Sequence, residues 1–135
     1  MSLLENKTIF VVEDDASNLA IIRTILRRQK AIVPFDHWGD HTLSGMLKQS
    51  SRLDLILLDL KLPSDITGHD IFESIKKEPS LNDVPIVAVS AADPVVEIPR
   101  TKRMGFNGFI AKPIQFYLFP KQIAAILDGE EIWEG

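Results

Sequence analysis

Ile9-Phe10-Val11-Val12-Glu13-Asp14-Asp15 is the stretch that decides the fold. Four consecutive apolar residues run straight into three acids. A strand with one wet face alternates apolar and polar side chains, whereas a strand covered by helices on both faces of a parallel sheet reads as an unbroken apolar run. The acids then fall where the strand ends. Leu55-Ile56-Leu57-Leu58, closed by Asp59, repeats the pattern, and Ile86-Val87-Ala88-Val89, closed by Ser90, repeats it with a hydroxyl. Ala31-Ile32-Val33 and Phe109-Ile110 are shorter candidates for two more strands.

Helical spacing fills the intervals. Leu19, Ile22 and Leu26 recur at steps of three and four after Asp15, with Arg23, Arg27 and Arg28 on other faces, as on a helix lying against a core. Leu43, Met46 and Leu47 mark a second helix. Ile71, Phe72 and Ile75 mark a third, ended by Pro79. Phe119, Ile123, Ile126 and Leu127 mark a last one, in which Pro120 is tolerable only in the first turn. Pro94 and Pro99 both fall in the fourth interval, so a short or irregular helix is expected there. Strands alternating with helices predict a doubly wound α/β sheet in one domain, over residues 4–130. Residues 1–3 and 134–135 read as tail or cloning-derived residues.

Composition narrows the chemistry. The 135 residues are 45% hydrophobic, enough for a core, and contain no cysteine, which excludes disulfides and zinc–thiolate sites. The formal net charge of −4 argues against a basic nucleic-acid face. No apolar run reaches membrane-spanning length and no signal-peptide pattern opens the chain, so the expected location is the cytoplasm.

The charged residues at the strand ends carry the functional reading. In open α/β sheets ligands bind in the crevice beyond the carboxyl ends of the strands. Glu13, Asp14 and Asp59 would crowd there if the first and third strands are neighbours, and crowded carboxylates need a cation, hydrogen bonds or raised pKa values. A hard divalent ion such as Mg²⁺ suits such oxygen ligands. Ser90 and Lys112, after the fourth and fifth strands, would aim a hydroxyl and an ammonium into the same crevice. That set suits phosphoryl transfer onto an aspartate oxygen. Other readings of single residues are plainer. Asp15 reads as a helix cap, Ser90 alone as a turn hydroxyl, Lys112 alone as a surface cation and Phe109 as a core aromatic. Asp65 reads as solvated, Trp38 and Trp133 as packing or partner-contact residues, and His37, His41 and His69 receive no role.

Four segments in order, Val11-Val12-Glu13-Asp14-Asp15, Leu57-Leu58-Asp59-Leu60-Lys61-Leu62-Pro63, Val89-Ser90-Ala91 and Ala111-Lys112-Pro113, resemble the response-regulator receiver domain over essentially the whole chain. The resemblance implies a flavodoxin-like sheet of five parallel strands in the order 2-1-3-4-5, flanked by five helices. It implies Asp59 as phosphoacceptor and Mg²⁺ held by Glu13, Asp14, Asp59 and the backbone carbonyl of Lys61. It also implies Ser90 and Lys112 on the phosphoryl group, Phe109 as a switch aromatic, and a cis peptide at Lys112-Pro113. A sensor histidine kinase or phosphotransfer protein would be the donor. A downstream protein, or a second copy, would read the face of the fourth helix, fifth strand and fifth helix, with no nucleic acid or membrane involved. Such a domain assists its own phosphorylation and dephosphorylation without being an enzyme of sustained turnover. Lys61 and Ala92 sit where such domains tune dephosphorylation. Ser64-Asp65-Ile66-Thr67 make the loop before Gly68 one residue longer than usual, and Gly68 is expected to supply a positive φ in a tight turn.

Three competing functions make different demands. A Mg²⁺-dependent phosphatase of the dehalogenase type wants a second acid two residues past its nucleophile, where this chain has Lys61. A degenerate receiver acting as a constitutive docking module would lack part of the acidic set, and a flavodoxin-type cofactor binder would place a Gly-, Ser- or Thr-rich loop where Glu13-Asp14-Asp15 stand.

Overall fold

The computed structural model describes residues 2–37, 41–62 and 66–134. Trp38, Asp65 and the rest of 63–65 lie outside them. The elements run β1 (Thr8–Val12), α1 (Ala16–Arg28), β2 (Phe35–Asp36), α2 (Thr42–Lys48), β3 (Leu53–Leu58), α3 (Gly68–Lys76), β4 (Ile86–Ser90), α4 (Pro94–Met104), β5 (Gly108–Ala111), α5 (Phe119–Leu127) and β6 (Ile132–Glu134). All pair in parallel in one sheet, in the order β2-β1-β3-β4-β5-β6.

The three apolar runs form the centre of this sheet, and every residue of β1 and β4 is buried. Successive side chains of a strand point to opposite faces, and the core divides accordingly. Ile9, Val11, Leu55, Leu57 and Ile110 pack with α1 and α5, while Phe10, Val12, Ile56, Leu58 and Phe109 pack with α2, α3 and α4. The unbroken apolar run is what a strand needs when both of its faces are core.

Three local expectations change. The second strand lies later than Ala31-Ile32-Val33. Ile32 makes only an isolated bridge to Thr8, and the regular pairing is Val11 with Phe35 and Val12 with Asp36. The carbonyls of Ile32, Pro34 and Asp36 accept from the N–H groups of Ile9, Val11 and Glu13 at 2.9, 2.9 and 3.0 Å. Pro34 has no N–H to return to the ladder, so the pairing is interrupted there.

The fourth helix is neither short nor broken. It runs eleven residues. Pro94 stands at its start, where a missing N–H costs nothing, and the Asp93 side chain accepts from Val95 N at 3.0 Å. Gly105, at φ 103°, ends the helix in the left-handed conformation. Pro99 removes the donor that would serve the carbonyl of Val95, and Val95 is 83% exposed, so water can take that place.

Gly68 is not a positive-φ turn residue either. It opens α3 and donates to the Leu60 carbonyl at 3.1 Å. A Cβ there would collide with the Asp59 carbonyl oxygen and lie 2.6 Å from Leu60 Cα. The glycine is required by close approach of two backbones. Sequence reading also gave no sign of β6, which adds a sixth strand beyond the five expected. Among the described residues, no helix is long and apolar enough to cross a membrane.

Gly68→Ala supplies a test with an informative sign. At an ordinary helix position the change stabilises by about 0.5–1 kcal/mol. Here the expected outcome in urea unfolding is a loss of about 1–3 kcal/mol, because the methyl group must push two segments apart.

Candidate phosphoacceptor site

The sheet register gathers the charged residues at one edge. Glu13, Asp59 and Lys112 each follow the last residue of their strand, and Ser90 ends β4. Backbone hydrogen bonds fix these ends to one another. Asp59 N donates to the Val12 carbonyl at 3.1 Å, Glu13 N to Asp36 at 3.0 Å and Lys112 N to Ser90 at 2.9 Å. Residues separated by tens of positions in sequence therefore share one crevice, and β1, β3, β4 and β5 set its walls.

Lys112 occupies the middle. Its Nζ donates to Asp59 Oδ2 at 3.1 Å and to Glu13 Oε1 in a closer contact. Glu13 and Asp59 are both buried. Glu13 Oε2 also accepts from Asp15 N at 3.2 Å, and Asp59 Oδ1 from Lys61 N at 3.1 Å. Four of the carboxylate oxygens thus have partners. The Lys112-Pro113 peptide is cis. Ser90 is wholly buried and its Oγ accepts from Ala92 N at 3.1 Å. Phe109 is wholly buried on the α4 side of β5.

Not every residue proposed from the sequence converges. Asp14 is exposed, and so is Lys61. Among the described residues no three His, Cys, Asp or Glu side chains stand close enough to hold a metal ion together. Glu13 turns toward Lys112, whereas Asp14 faces solvent. Asp15 caps α1, accepting from Asn18 N at 2.8 Å. The donors that remain around Asp59 are all oxygens, with two buried carboxylates, one exposed carboxylate and the Lys61 peptide carbonyl nearby in sequence. That set suits an ion that takes one or two protein carboxylates and keeps several waters, and is unsuited to a soft metal.

Two features escaped sequence reading. His69, left without a role, is buried and its Nε2 lies 2.9 Å from Glu97 Oε1, tying α3 to α4. Arg100 Nη1 stands 3.9 Å from the other oxygen of Glu97. A lone histidine in helical register carries no sign of this. The second is a capping box, with Thr67 accepting from Asp70 N at 3.2 Å and Asp70 accepting from Thr67 N at 3.1 Å. Its Thr-x-x-Asp spacing was legible.

Burial raises the Glu13 pKa above its ordinary 4.5, and the nearby Asp59 charge adds to this, against the lowering by Lys112. For Lys112, burial opposes the charge, but Glu13 and Asp59 together outweigh it and the pKa rises above 10.5. A raised acid favours the folded state below its unfolded value and loses that contribution as pH climbs through its folded value. Lys112 stays charged throughout that window. In chelator-treated protein, wild type should therefore lose stability relative to Glu13→Gln as pH rises from 4.5 toward neutrality. Thermal melts of both proteins across that range measure the difference, and parallel curves would contradict the burial effect on Glu13.

Comparison with known proteins agrees with this geometry. The model of the response regulator receiver domain matches residues 9–124. The polar-differentiation response regulator DivK of Brucella anthropi is 27% identical over 121 residues, covering 90% of this chain and 96% of its own length. A two-component response regulator of rice, Oryza sativa subsp. japonica, is 28% identical over 107 residues, 79% of this chain but only 50% of that protein. The receiver domain of a sensor histidine kinase from Pseudomonas aeruginosa PAO1, solved with a magnesium ion coordinated in its active-site cleft, superposes with a TM-score of 0.77 at 26% identity, covering 93% of this chain and 99% of that one. A response regulator from Desulfuromonas acetoxidans shares the fold with a TM-score of 0.78 at 22% identity, covering 90% of this chain and 97% of that one. With a family match spanning nearly every element from β1 to α5, the chain belongs to the response regulator receiver domain family.

Proposed function

We propose that this domain is a phosphoacceptor switch whose acceptor is Asp59, served by a histidine kinase or phosphotransfer protein of a two-component system. The observation that supports it best is the shared ammonium. Lys112 Nζ bridges Asp59 and Glu13 from a different strand. It sets a cation against a buried carboxylate at the open end of the sheet. An oxygen of Asp59 attacks the phosphorus of a phosphohistidine. The P–O bond forms as the P–N bond breaks, and the electron pair leaves with the imidazole.

The incoming phosphoryl group brings roughly −1.5 to −2 charges into a crevice that already holds two carboxylates. Lys112 is placed to answer part of that charge. The Ser90 hydroxyl, at the end of the neighbouring strand, would donate to a phosphoryl oxygen. Mg²⁺ would be held by Glu13, Asp14, Asp59 and the Lys61 carbonyl. When bound, it supplies positive charge that offsets repulsion between acceptor and phosphoryl oxygens. Output then follows as binding. β5 links Lys112 to Phe109, so a shift of Lys112 reaches the face formed by α4, β5 and α5 and changes its population of conformers.

Donor access fits the surface beside the site. Ile21 of α1 is half exposed. With Asn18, Ile22, Pro113 and Ile114 it lines a small cleft that reaches Lys112. An apolar rim next to the reacting carboxylate suits transient docking of a protein donor.

The reading is tested by incubating the chain with acetyl phosphate and Mg²⁺ and measuring intact mass. One phosphoryl group should be gained, Asp59→Ala should gain none, and Lys112→Ala should be slower by roughly 10²-fold, the scale of losing one preorganised charge-stabilising group. A phosphoryl group retained in Asp59→Ala would refute the assignment. Continuous release of phosphate without any accumulation on the chain would point to an enzyme instead.

A further inference from the structure

α1 gives one face to the sheet and another to water. Ile22, Ile25 and Leu26 are buried, whereas Ala20, Ile21, Thr24, Arg27 and Arg28 are exposed. Three hollows lie along this outer face and share residues. Ala20 and Thr24 line the first and second, Ile25 and Phe116 the second and third, and Arg28 the first and third. They form one continuous surface from α1 to the start of α5, on the side of the sheet away from α4.

The charge of this surface is one-sided. Arg23, Arg27, Arg28 and Lys121 line it, and no Asp or Glu does, although the chain as a whole carries a net charge of −4. Among the described residues none of these four cations has a carboxylate within ion-pair distance. Two of them rest on rings instead, Arg23 at 4.3 Å from the centroid of Phe35 and Arg28 at 5.3 Å from that of Phe116. Ile21 and Phe116 are exposed beside them, and Tyr117, edge-on to Phe116, is 82% exposed, more than a packing role would leave. The helix dipole favours cations in the last turn of α1, which accounts for Arg27 and Arg28. It does not account for Lys121, which stands in the first turn of α5, where the dipole favours an anion.

We propose that this face of α1 and the 116–121 segment is a docking surface for the headgroup layer of an anionic phospholipid bilayer, on which the domain lies without spanning it. The occupant is anionic because four cations are unanswered. It is extended because cations and rings are spread over the outside of a helix, where nothing encloses a small ligand over most of its surface. Exposed Phe and Tyr beside Arg and Lys make the composition that settles at headgroup level, with rings at the acyl boundary and cations on the phosphates. This departs from the expectation, carried by the family resemblance, that no membrane is involved, and it does not depend on Asp59 accepting a phosphoryl group.

The test is sedimentation of the full chain with vesicles of phosphatidylcholine, with and without phosphatidylglycerol. The chain should pellet with the anionic vesicles only, and should be released in about 1 M salt, where the screening length is about 3 Å. Arg27→Gln with Arg28→Gln should lower the partition coefficient about thirtyfold, or about fivefold for each cation removed from the surface. Tyr117→Ser should lower it severalfold and leave its salt dependence unchanged. Far-UV circular dichroism checks that each variant folds. Since the chain has no cysteine, a polarity-sensitive fluorophore on Thr24→Cys reports contact directly, and one on Glu73→Cys, exposed on α3 across the sheet, is its control. The Thr24 probe should shift to the blue on anionic vesicles and the Glu73 probe should not. Equal pelleting with neutral vesicles, variants that bind as wild type does, or equal shifts of both probes would overturn the proposal. Release by soluble glycerol phosphate, at a concentration matching the lipid phosphate, would assign the cations to a free anion and overturn it as well.

Discussion

One ammonium group shared by two carboxylates from different strands is the constraint on which the site depends. Glu13 and Asp59 are buried at neighbouring strand ends, and two buried negative charges at such range repel strongly in a medium of reduced polarisability. Lys112 joins them. Removing one partner from a buried ion pair costs about 3–5 kcal/mol, mostly through the charge left behind. The triad is therefore tense as well as paired: one ammonium faces two carboxylates, and Glu13 is held above its ordinary pKa. The crevice is under-neutralised, with one ammonium between two carboxylates. Two carboxylates with two lysines would have left no such vacancy of charge.

The sheet was readable because burial on both faces has a plain signature. Ile9-Phe10-Val11-Val12, Leu55-Ile56-Leu57-Leu58 and Ile86-Val87-Ala88-Val89 can only be strands with helices above and below, and the acids and hydroxyl that close them mark the functional edge. What stayed hidden depended on distances between segments. Gly68 looks like any turn glycine until its closeness to the Asp59 carbonyl is seen. Pro99 looks like a helix breaker until the one carbonyl it orphans proves to be at the surface. Trp133 gives no periodicity, since a three-residue strand is shorter than any pattern that could announce it. Asp14 was placed with Glu13 by adjacency in sequence, yet adjacent residues at a strand end point different ways, so one is buried and its neighbour is not.

Asp59 is also braced from the far side. Gly68 brings the start of α3 against the backbone of Asp59 and Leu60, and the next residue, His69, bonds Glu97 of α4. Thr101, one turn further along α4, donates to the Glu97 carbonyl at 2.7 Å. The pair is largely buried, and His69 Nδ1 has no partner among the described residues. A buried ring nitrogen without a partner costs something that a leucine would not. A buried polar pair is weak support for stability but fixes one arrangement over others. Here it sets where α4 begins relative to α3, and so where the segment from Ser90 to Asp93 can lie.

Three elements thus meet the acceptor by separate routes: β1 through Glu13, β5 through Lys112, and α3 through Gly68. Only β5 continues to a surface that the chain itself covers. α3 passes its contact on to α4, whose Lys102 rests on Trp133, so the two routes converge again at β6. A displacement beginning at Asp59 would reach the same tryptophan along β5, by way of Phe109, and along α4, by way of Glu97. Since packed cores transmit small shifts rather than absorb them, the place where both routes end is where a change at the acceptor should be felt most. A strand of three residues at the edge of the sheet stands at that point.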